Sequence, residues 1–194
     1  MGSQAQFQVM MERVDSHVFS AVREALSKDE VETLYNEVRT REPLSEYCNN
    51  LVSKVNGMVR KVNEDILRYD FDIDNPKVIP FDTIEGMQTD KKSDHITHIG
   101  NILQEPVVKL TAIVIASSRD DVQGGELAFK HWPDYPRVDN YGKVIKEGEN
   151  HQPSFTNEQG TLIVYPSTEP VGAQLCISGR VKRLKFCYSG KRFR

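Results

Sequence analysis

No acidic residue occurs after Glu169, yet Arg180, Lys182, Arg183, Lys185, Lys191, Arg192 and Arg194 all fall in that stretch. Over the whole chain the charges nearly balance at −3, which gives no overall pull toward nucleic acid or an anionic membrane. Long apolar runs are missing as well. None approaches the roughly 18 residues of a spanning helix, and the N-terminus lacks the basic-then-apolar order of a secretory signal. Cysteine is scarce: Cys48, Cys176 and Cys187 are an odd number with no metal-type spacing. Reduced structural thiols, and with them a cytoplasmic location, are the expectation. Internal repeats and linkers are absent, so residues 1–194 are read as one domain with a sizeable core.

The patterning that remains divides the chain in two. Residues 1–25 carry scattered apolar positions and read as a first strand or arm. Ser27-Lys28-Asp29-Glu30 matches a capping box, with Leu26 and Val31 at the hydrophobic staple positions, so a helix is expected from Ser27 to about Arg39. Leu51, Val55, Met58, Val62 and Ile66 recur at spacings of three and four, which predicts a second helix over about 45–67 with one core-facing stripe. Beyond Pro76 the pattern is that of strands: 78–84, the near-continuous run 109–116, 126–129 after Gly124-Gly125, 161–165, and 181–188. The run 109–116, KLTAIVIA, is that of a strand buried on both faces. Residues 130–158 hold Trp132, Tyr135 and several prolines and glycines and read as a long surface excursion, where a partner would dock. Helices first and strands after argue for an α+β domain built on a sandwich or barrel.

The strand motifs fall in the order of one family. Asn63-Glu64 with Phe71-Asp72, then Val108-Lys109-Leu110-Thr111, Gly124-Gly125-Glu126-Leu127 with Phe129, and Gly160-Thr161-Leu162-Ile163-Val164-Tyr165-Pro166-Ser167 resemble the prolyl 4-hydroxylase-like 2-oxoglutarate/Fe(II) dioxygenases. The resemblance covers about residues 27–190. It implies N-terminal helices packed on a double-stranded β-helix, a jelly-roll or cupin-like core. Relatives of this kind are common in tailed phages, so the resemblance also implies a phage protein, in host cytoplasm or virion.

The resemblance further implies Fe(II) held by two histidines and one carboxylate, with a basic residue gripping 2-oxoglutarate. At the family's spacing the H-x-D triplet falls on Lys92-Ser93-Asp94. A charged lysine has no lone pair to give a metal. A shifted register makes His95-Ile96-Thr97 the triplet, and a larger shift brings in His98; neither supplies both ligands. The second histidine position falls on Val171, which has no donor atom, and the usual arginine position on Val181. Arg180 and Lys182 alternate to the opposite face of that strand, so Arg183 is the substitute anchor.

The expectation is therefore a non-catalytic oxygenase-fold protein, without cofactor, that binds a protein partner or assembles with itself. The alternative is a divergent dioxygenase using Fe(II) and 2-oxoglutarate, its ligands drawn from Asp94, His95 and His98 with His131 or His151. A third reading is an unrelated jelly roll. The bland reading of each loop histidine is a solvated side chain, and of the basic tail a solvated strand face. The sharper reading of that tail makes Arg180, Lys182 and Lys185, with Trp132 and Tyr135, a partner surface. Lys92 paired with Asp94 would fill the space of the missing metal.

Overall fold

The computed structural model describes residues 13–15, 18–40, 42–92, 107–130 and 158–191, with positions 14, 15 and 92 as main chain only. In chain order these form β1 (Arg13–Asp15), β2 (Ser20–Val22), α1 (Lys28–Thr40), α2 (Glu46–Val62), β3 (Lys77–Pro80), β4 (Thr83–Ile84), β5 (Thr89–Lys92), β6 (Val107–Ile115), β7 (Gln123–Gly124), β8 (Leu127–Phe129), β9 (Leu162–Pro166), β10 (Val171–Ala173), β11 (Cys176–Ser178), β12 (Arg180–Val181) and β13 (Arg183–Gly190). Every strand pairing among them is antiparallel.

Both helices start on the side chains that predicted them. The Ser27 amide donates to Glu30 at 2.7 Å and the Glu30 amide to the Ser27 hydroxyl at 3.2 Å, closing the capping box. Ser45 caps α2 by accepting from the Cys48 amide at 3.2 Å, and Glu37 of α1 accepts in turn from the Ser45 hydroxyl at 2.8 Å. The α-helix of α2 stops five residues short of the expected end. Residues Asn63–Leu67 widen into a π turn that closes on Arg68 in the left-handed region. The Asn63 amide side chain explains this ending: it donates to the Tyr69 carbonyl at 2.9 Å and accepts from the Tyr69 amide at 2.8 Å, folding the chain back toward the sheets.

The large sheet has the order β1-β2-β9-β6-β13-β3. Its central strand β6 is buried along all nine residues, as its two-faced apolar pattern requires. Leu110, Ala112 and Val114 of β6, with Leu184, Phe186 and Tyr188 of β13, share one apolar cluster with Val31, Leu34 and Tyr35 of α1 and Leu51, Val55 and Val59 of α2. Within it the Tyr188 hydroxyl donates to Asn56 at 3.0 Å, and burial pushes that phenol well above its ordinary range. Ile113 and Ile115 of β6 face the other way, into a second cluster with Phe19, Leu127, Phe129, Ile163, Tyr165 and Val171.

That second cluster is roofed by a layer of three ribbons. The middle ribbon is β10, β11 and β12; β8 and β7 pair with it on one side, β5 and β4 on the other. Two stretches expected as single strands are each divided. Residues 78–84 split into β3 and β4, and 181–188 into β12 and β13, because both chains cross there from the three-ribbon layer to the large sheet. Lys182 marks the second crossing: its amide takes the Ser117 hydroxyl at 3.2 Å and its carbonyl accepts from Ala116 at 2.9 Å. No described helix is long and apolar enough to cross a membrane.

Candidate functional site

The three-ribbon layer brings two of the expected site positions face to face. Val171 of β10 pairs directly with Lys92 of β5 on one side and with Phe129 of β8 on the other. Two steps along β10, Ala173 pairs with Thr89, so β5 uses three steps where β10 uses two. The extra residue makes a bulge at Asp90–Lys91, the kind of irregularity that re-aims a strand end. Gly172 lies beneath it. A Cβ at that position would stand 2.4 Å from the Thr89 carbonyl oxygen and 2.9 Å from main-chain atoms of both Asp90 and Lys91. Absence of a side chain at 172 is thus what lets the bulge close on β10, with the Ala173 amide held by the Thr89 hydroxyl at 2.7 Å.

Val171 is 8% exposed and belongs to the apolar cluster between the layers. Phe19 stacks on Phe129 at 4.7 Å between ring centres, and Phe129 meets Tyr165 edge-on at 5.5 Å. Such aromatic pairs add about 0.5–1.5 kcal/mol each to the burial of their surface. The isopropyl group at 171 extends this packed interior to the rim of the layer.

Val181, at the usual anchor position, is fully buried. Gly125 accommodates it: with φ at +72°, a Cβ there would sit 2.6 Å from the Val181 Cγ2. The Gly124-Gly125 step seen in the sequence is therefore a packing requirement of β12 as well as a turn.

Arg183 lies two residues on and is fully buried on the inner face of β13. Its guanidinium donates to the Thr83 hydroxyl at 3.0 Å and to the Gly125 carbonyl, and lies 5.9 Å from the centre of the Phe81 ring. Burial lowers its pKa to about 10, opposed by the negative field of Asp82, which leaves it a cation at neutral pH. Alternation along the strand placed Arg183 on the face of Val181, and the structure puts both side chains inside. Arg180 and Lys182 point away from them, as expected.

The structure assigns work to the basic residues of the expected partner surface. Arg180 donates through Nε at 2.9 Å, and through a second nitrogen, to one oxygen of Asp82. That oxygen also accepts from the Tyr35 hydroxyl at 2.5 Å, and the other accepts from the Arg183 amide at 3.4 Å. The bond to Asp82 raises the Arg180 pKa further, while burial and then Asp82 raise that of Tyr35. Lys182 lies over the Tyr35 ring at 5.8 Å and Lys185 over Phe81 at 5.5 Å. These three basic groups thus tie α1, the link between β3 and β4, β12 and β13 together, and Arg180 remains 40% exposed. Sequence reasoning missed Asp82, the hub of this set. Its signal was a single carboxylate within the otherwise apolar run 78–84. Asp94, His95, His98, His131, His151, Trp132 and Tyr135 lie outside the described residues, as does the side chain of Lys92 and so its pairing with Asp94.

No family model matches the chain, and no curated protein matches it in sequence. Solved structures match it well. A prolyl-4-hydroxylase from Pseudomonas putida superposes with a TM-score of 0.59 at 15% identity, over 91% of this chain and 90% of that one. The viral collagen prolyl hydroxylase of Paramecium bursaria Chlorella virus-1, as its 2-oxoglutarate complex, gives 0.56 at 13% identity, over 91% and 98%. EvdO2 from Micromonospora carbonacea gives 0.51 at 12% identity, over 95% of each chain. At such identities the likeness is one of fold. The two helices and antiparallel strands of this chain have the double-stranded β-helix fold of the 2-oxoglutarate/Fe(II) oxygenases.

Proposed function

We propose that this protein uses the oxygenase scaffold without its iron chemistry, as a binding or assembly component, in keeping with a phage-encoded role. The observation that carries the reading is the pairing of Val171 with Lys92. Two strand positions that would each carry an imidazole in an iron site instead carry valine and lysine. A hydrocarbon supplies no lone pair, and an ammonium supplies none while charged. The residues at these positions do not fit a centre of two histidines and a carboxylate.

One observation favours the second reading, a divergent dioxygenase. Arg183 keeps a cation inside the barrel two residues beyond the usual anchor, where a carboxylate of a co-substrate would be drawn. Asp94, His95 and His98 would then have to supply the metal donors. The test is an anaerobic titration of the full chain with Fe(II) and 2-oxoglutarate, following the metal-to-ligand absorption band, then succinate release in air. The proposal predicts neither signal; either one establishes the second reading instead.

A further inference from the structure

We draw no further inference here: the strongest candidate, the exposed apolar patch of Ile84, Met87, Leu175 and Ile177 on the outer face of the three-ribbon layer, carries nothing because nothing among the described residues shows what covers it.

Discussion

Val171 and Lys92 stand directly opposite each other on neighbouring antiparallel strands. Residues so paired carry Cβ atoms about 4.5–5.5 Å apart, close enough for two side chains to share one ion. This leads to a gain-of-binding prediction. The double variant Lys92→His with Val171→His should bind Co(II) at least roughly tenfold more tightly than either single variant, read from its visible absorption and by calorimetry. Equal affinity in all three variants would show that the two positions do not address a common site.

Gly172 tests the bulge that sets this register. The atoms a methyl group would meet are main chain, at 2.4 and 2.9 Å, and cannot rotate away as a side chain would. Gly172→Ala should therefore cost about 1–3 kcal/mol in urea unfolding. Gly57 is the internal control: it sits within α2 with nothing within 4 Å of an added Cβ. Gly57→Ala should stabilise by about 0.5–1 kcal/mol, the helical preference for alanine over glycine. If both substitutions shift stability alike, the close approach at Gly172 is not what constrains the strand.

The capping box makes a prediction with a pH signature. Burial alone would raise the Glu30 carboxyl, but the Ser27 amide and the Lys54 ammonium, 2.9 Å away, outweigh it and hold the pKa below the usual 4.5. A carboxyl lowered in the folded state contributes stability that is fully present above its unfolded pKa and is lost as pH falls through the folded value. Ser27→Ala should cost about 1 kcal/mol at neutral pH. In chemical unfolding, the gap between wild type and Glu30→Gln should narrow below about pH 4 as Glu30 protonates. A gap unchanged from pH 7 to pH 3 would mean that the carboxylate takes no part in the cap.

The features that proved legible in the sequence are those set by local chemistry. Ser27 and Glu30 announce α1, and the unbroken apolar run of β6 announces a strand covered on both sides. The Gly-Gly step announces a break before β8, while the close approach of Val181 to Gly125 appears only in the structure. The crossings at Asp82 and Lys182 were not legible, because nothing in strand propensity tells where a chain leaves one sheet for another. The hub at Asp82 joins Tyr35 and Arg180 across 47 and 98 residues, a separation that no window along the chain can bridge. The outward pair Leu175 and Ile177 was missed for a related reason. Alternation marks which residues share a face, but only the assembled layer shows which face is left open.

Arg183 gives the last prediction, and it separates stability from function. Arg183 is fully buried, and burial lowers its pKa to about 10, below the ordinary arginine range. The unfolded chain holds this proton more tightly than the folded one, so the charge opposes folding at every pH below about 10. That opposition is relieved as pH rises through about 10. Arg183→Met removes the charge and keeps most of the volume, so at pH 7 it should melt at or above the wild type, as replacements of buried ions by apolar groups often do. Arg183→Ala leaves a cavity as well and should lose about 2–4 kcal/mol. The advantage of the Met variant should shrink above pH 10, where the wild type begins to shed the charge. A Met variant less stable than wild type at pH 7 would mean that the bonds to Thr83 and Gly125 outweigh the cost of burial, and that Arg183 is kept for the fold. A more stable Met variant would mean that the cost of burying the charge exceeds the gain from those bonds.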